Sequence, residues 1–150
     1  MRLRTILVPV CASVVLALAL TVSALAGDGG RPFEVSLTGA AEVPGPGDPD
    51  GSGTALLRLN PGQEEVCFEI SVSNITLPAT GAHIHRGTAS EAGPVVVGLI
   101  PPDTSGTSSG CVTATRELIT EILRNPEGFY VNVHTVPLYA AEAVRGQLSR

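Results

Sequence analysis

The sequence predicts an all-β domain: an antiparallel β-sandwich with Greek-key connections and one short helix. Three observations predict it. Short runs alternate apolar and polar residues at period two, Gly- and Pro-rich stretches separate those runs, and one segment alone switches to the helical period.

The first alternating run sets Phe33, Val35 and Leu37 against Glu34, Ser36 and Thr38. Seven more follow: "GTALLRLN", "EVCFEISVSN", "GAHIHRG", "PVVVGLI", "GCVTAT", "GFYVNVHT" and "AVRGQLS". About eight strands suffice for a sandwich. Between the sixth and seventh, Leu118, Ile119, Ile122 and Leu123 form a helical stripe over residues 116–125. Thr115 can cap its start and Asn125-Pro126 ends it. Residues 40–53 and 101–110, rich in Gly, Pro, Ser and Asp, read as surface connections.

Residues 1–26 read as a secretory signal peptide. Arg2 and Arg4 precede a mostly apolar run from Ile6 to Leu20, and "ALA" at Ala24–Ala26 is a small-x-small cleavage pattern. A retained membrane anchor is the alternative, because the stretch is long enough to span. Cys11 leaves with the leader; Val10 stands where a lipidation site wants a small residue. Residues 27–150 then form one domain of ordinary size, exported to the cell exterior.

The formal net charge is −5, more negative once Arg2 and Arg4 are removed, and every basic residue is Arg. An acidic domain with scattered Arg gives no electrostatic reason to bind nucleic acid or an anionic membrane. Its partner would be another protein or a component of the cell surface.

Cys67 and Cys111 remain after cleavage, and an even pair in an exported chain points to a disulfide, with free thiols as the alternative. Periodicity supports the pairing. Val66, Phe68, Ile70 and Val72 share one face while Cys67 takes the other, and Val112 and Ala114 likewise oppose Cys111. Closing a loop of about 45 residues contributes about 4 kcal/mol in the chain-entropy account.

Two motifs imitate chemistry. "GTSSG" (Gly106–Gly110) matches the spacing of a nucleophile elbow, but that motif needs a strand before it and a helix after it, within a large α/β sheet. "DPDGSG" (Asp48–Gly53) resembles half a calcium loop, yet its twelfth position is Leu59 where a bidentate Glu belongs. With no complete catalytic constellation, the chain reads as non-enzymatic.

The three histidines carry more. In "AHIHRG", His83 and His85 lie two apart and share a strand face, about 6.6 Å apart at their α-carbons. In "FYVNVHT", Val131 and Val133 take one face and Tyr130, Asn132 and His134 the other. If the two strands are neighbours, His83, His85 and His134 converge, and three imidazoles suit one copper or zinc ion. The alternative is a structural cluster that hydrogen-bonds across the sheet. Tyr130 and Asn132 are then candidate partners for the rings. In "VRGQL", Val144 and Gln147 bracket a strand that holds Arg145 and Gly146 beside "YVNVHT". Arg145 reads as structural, its fork pairing with carbonyls or an acidic neighbour.

In order and spacing, these segments resemble the CHRD domain, the unit named from chordin. They run from "LTGAAEVPG" and "GSGTALLRLN", through "AHIHRG" and "GPVVVGL", to "LRNPEGFYVNVHT" and "AVRGQL". The resemblance implies a secreted, non-enzymatic binding or structural module in a single copy, and the Lys-free composition fits a bacterial member. One departure concerns the tail: Ala143 stands where the family often has Glu, and Glu142 is one residue off. The "HIH" strand also resembles copper/zinc superoxide dismutases, which implies a dismutase-like or immunoglobulin-like sandwich. That family's two-metal site takes six histidines and this chain has three, so the likeness extends to one ion and not to dismutase activity.

Overall fold

The computed structural model describes residues 30–139 and 143–150. The leader and Glu142 lie outside the described residues. Among those described, no helix is long and apolar enough to cross a membrane.

Eight strands form: β1 (Arg31–Thr38), β2 (Ser52–Asn60), β3 (Glu65–Ser73), β4 (Gly81–Arg86), β5 (Val95–Leu99), β6 (Thr107–Thr113), β7 (Phe129–His134) and β8 (Val144–Gln147). They pair antiparallel in one sheet of order β5-β4-β7-β8-β1-β2-β3-β6. Period-two alternation explains the shared core. Phe33, Val35 and Leu37 of β1 and Ala55, Leu57 and Leu59 of β2 point inward with Val66, Phe68, Ile70 and Val72 of β3. Ala82 and Ile84 of β4 and Val131 and Val133 of β7 meet them from the other half.

The two halves join where β8 meets β1, at the single register pair Thr38↔Arg145. Gly146 makes this approach possible, since a β-carbon there would lie 2.1 Å from the Ser36 carbonyl oxygen. At the far edges the chain leaving β5 leans on β6: the Ile100 side chain reaches within 3.1 Å of where a Gly110 β-carbon would stand. The sheet is therefore nearly closed.

Helix α1 (Arg116–Arg124) carries the chain from β6 to β7. Thr115 caps it, its hydroxyl accepting from the Leu118 amide at 3.3 Å, and Ile119 and Ile122 are fully buried in the core. The expected stripe and stop signal describe this helix to within a residue.

One connection differs from expectation, and a second is more firmly anchored than its composition suggests. The stretch 101–110 is not loop throughout. Gly106 turns the chain at φ +79°, and Thr107 onward pairs with β3, because Ser and Thr suit a strand as well as a turn. The stretch 40–53 runs mostly over the surface, as expected, but is anchored at a few buried residues. Glu42 and Asp48 are buried, and Asp48 donates its amide to the Ala143 carbonyl at 2.9 Å. Leu59, the twelfth position counted from Asp48, is a fully buried core residue of β2, so no calcium loop of that type forms.

Cys67 and Cys111 are directly opposed across β3 and β6 and are joined by a disulfide. The outward faces meet because these strands are neighbours. Replacing both by Ala should lower stability by about 4 kcal/mol, the chain-entropy value for this loop. The urea midpoint should fall at constant slope, and the oxidised wild type should resist alkylation. A midpoint equal to that of wild type would contradict this.

Candidate metal centre

The site is built on the outer face of β4, β7 and β8. Because Ala82 and Ile84 enter the core, the strand pleat sends His83 and His85 outward. On β7, Val131 and Val133 do the same for Tyr130, Asn132 and His134. Strands β4 and β7 are hydrogen-bonded neighbours. Gly81 faces His134, His83 faces Asn132 and His85 faces Tyr130. The β4–β5 ladder shifts register between Ile84 and His85, and a bulge of this kind re-aims the neighbouring side chain.

The three rings converge. Their centroids lie 5.5 Å apart for His83 and His85, 4.9 Å for His83 and His134, and 6.3 Å for His85 and His134. One nitrogen from each lies within 4.8 Å of the others, and His83 Nδ1 and His134 Nε2 share a hydrogen bond of 3.0 Å. Nitrogens bound to one ion at about 2 Å stand roughly 3.4 Å apart in a tetrahedral arrangement. To hold one ion the rings would have to turn inward to that spacing. Gly81 leaves room for the rings, since a β-carbon there would come within 3.0 Å of His83 and 3.2 Å of His134.

His85 is the innermost member, 6 % exposed; His83 and His134 are half-buried. Its Nδ1 lies 2.8 Å from the Gly93 carbonyl oxygen, while its Nε2 is buried and meets no partner. The His83 imidazole is held below its ordinary 6.5, first by desolvation, then by His134 and His85, against an opposing pull from Asn132. Asn132 itself is fully buried, and neither polar atom of its amide makes a well-formed hydrogen bond.

Beside the histidines lies a polar layer that the alternation rule does not foresee. Arg145, 1 % exposed, sets its guanidinium 3.4 Å from the centre of the Tyr130 ring, and Tyr130 stacks on His85 at 4.8 Å. Arg145 Nη2 donates to the carbonyls of Thr88 (2.7 Å) and Glu91 (3.0 Å). Gln147 Nε2 donates to the carbonyls of Gly87, Glu127 and Phe129. Ala143 is buried and spends its amide and carbonyl on Val133 and Asp48, so nothing acidic stands at that tail position.

Residues 87–94 thus lie over the outer face and close it. Sequence reasoning passed over this connection, although "TASE" signals a turn that ties itself together. Glu91 accepts from the Thr88 amide at 3.2 Å and from its hydroxyl at 2.7 Å, and these bonds hold the Glu91 carboxyl below the usual carboxylate range. The "GTSSG" serines lie elsewhere, on β6, where Ser108 opposes Ile70.

Two outcomes follow from this geometry. Arg145→Lys cannot serve both carbonyls and cover the ring, and should cost roughly 2 kcal/mol, several degrees in Tm. An unchanged melting curve would refute that. For His83, the unfolded chain takes up the proton near the ordinary value while the folded chain takes it up at lower pH. Its stabilising contribution is full above about 6.5 and declines as pH falls below that value. The Tm of metal-free protein should drop between pH 7 and 5, less steeply in His83→Gln; equal slopes would exclude the effect.

The CHRD domain profile matches residues 33–148, from the first inward side chain of β1 to the buried Leu148 that follows β8. No curated protein and no solved structure matches the chain. The matched span takes in all of the described sheet but the first two residues of β1, together with all three histidines, and the chain belongs to the CHRD domain family.

Proposed function

We propose that this chain acts at the cell exterior as a secreted, non-enzymatic CHRD module, and that the module carries one copper or zinc ion on His83, His85 and His134. The family supplies the first half of this reading: an extracellular module without catalytic activity. The cross-strand disulfide agrees with an oxidising compartment.

One observation carries the second half. Within a cluster of three imidazoles, the most buried ring has an unpartnered Nε2 while its other nitrogen is held by a backbone carbonyl. A buried nitrogen without a partner costs about 1–3 kcal/mol, which an ion bound there would recover. Imidazoles suit zinc and copper, and on affinity alone copper(II) binds such a set more tightly than zinc. The competing reading is a module whose histidines only brace the strands. The shared His83–His134 hydrogen bond favours it as far as it goes, but leaves His85 Nε2 without a role.

Protein purified without a histidine tag should contain about one equivalent of copper or zinc. After chelation it should rebind one equivalent, and saturation at a hundredfold excess over Kd should add about 2.7 kcal/mol of stability. His83→Ala, His85→Ala and His134→Ala should each weaken binding sharply, since two imidazoles make a poor site. Affinities in all three variants equal to wild type would leave the module reading without its metal.

A further inference from the structure

We propose that the connection at residues 87–94 is the outer shell of the metal centre and that Arg145 is its anchor. Through the Gly93 carbonyl this shell keeps the His85 proton on Nδ1 and commits Nε2 to the ion. The inference rests on the metal reading above and names the ligand atom and the residue that positions it.

The chain of contacts begins at the ring. A carbonyl oxygen only accepts hydrogen bonds, so the 2.8 Å contact with Gly93 requires the hydrogen on His85 Nδ1. A neutral imidazole with its proton there presents a lone pair at Nε2, the nitrogen that is buried and without a partner. Metal-bound histidines generally use this arrangement, because the second hydrogen bond fixes both the tautomer and the ring plane.

The carbonyl is itself placed by other groups. Gly93 donates its amide to the Tyr130 hydroxyl at 3.1 Å, so both sides of this residue are tied to the site. Upstream, Arg145 grips the carbonyls of Thr88 and Glu91, and Gln147 grips that of Gly87 at 3.0 Å. Arg145 is held in turn against the Tyr130 ring, the same ring that stacks on His85. Arg145 therefore acts on His85 by two routes, the backbone connection and the aromatic ring. It is a positioning residue: Nη2 serves both carbonyls while the flat guanidinium covers the Tyr130 ring, a combination that a lysine ammonium, which has no plane to stack, does not offer.

The test compares full-length wild type with Arg145→Lys and Tyr130→Phe. The second variant removes the hydroxyl that receives the Gly93 amide and keeps the stacked ring, so it guards against a loss of fold in the first. Two quantities are read: the His85 tautomer in metal-free protein, from imidazole nitrogen-15 NMR, and the affinity for zinc and copper(II) by titration. Wild type should hold His85 as a single tautomer with hydrogen on Nδ1. Both variants should mix tautomers and bind metal about tenfold more weakly, the usual effect of removing an outer-shell partner.

Metal uptake by wild type, with variant affinities within about twofold and the tautomer unchanged, would overturn this inference and leave the metal reading standing. A wild-type His85 protonated on Nε2 would overturn it whatever the metal result. Failure of wild type to take up either ion would instead remove the metal reading on which it rests.

Discussion

Strand β7 is buried on both faces, and each face requires a different partner. Phe129, Val131 and Val133 meet the apolar core, while Tyr130 and Asn132, equally buried, face the other way with His134 beside them. An outward face that excludes water must satisfy its polar groups from protein. Here the cover is not a second apolar sheet. It is the connection at residues 87–94, whose carbonyls accept from Arg145, Gln147 and His85. The position of the connection, the burial of Arg145 and the orientation of His85 all follow from that requirement.

Burying Arg145 is the energetically demanding step. A desolvated guanidinium costs several kcal/mol unless its charge and its donors are met. Two carbonyls and a tyrosine π-face meet it, and among the described residues Nη1 has no hydrogen-bond partner. Charge-assisted bonds to carbonyls and a close cation–π contact offset part of the cost. Geometry is what this costly arrangement secures. Few side chains other than arginine could reach two loop carbonyls and lie flat on Tyr130, so the connection has little freedom to settle elsewhere.

Much of the fold was legible because the strand pleat is strict. Alternation at Phe33–Thr38 and at Val66–Val72 allowed one inward set, and the Cys67 and Cys111 faces followed from it. The same rule put His83 and His85 together and His134 on the Asn132 side. Pairing was not legible, since β4 and β7 are far apart in sequence and no local signal joins them. The start of β6 was missed because Thr107, Ser108 and Ser109 have turn composition and become strand only by pairing with β3. The cover of the site was missed for a different reason. Its function lies in the backbone carbonyls of Gly87, Thr88, Glu91 and Gly93, and carbonyls are the same in every residue.

The two halves of the sheet carry different work. The β1-β2-β3-β6 half is stapled by its disulfide and holds its outer face open to solvent. The β5-β4-β7-β8 half carries the histidines and the buried polar layer. They meet in the described chain at one register pair, and that pair contains Arg145. Its backbone joins the sheet to β1 while its side chain holds the cover of the histidine cluster. Closure of the sheet and order at the cluster therefore share a residue. A shift of β8 along β1 by one position would turn Arg145 inward and Gly146 outward, placing a charge in the core and releasing the cover. Register at this seam is thus enforced twice: by the close approach that Gly146 permits, and by the cost of burying Arg145 anywhere else.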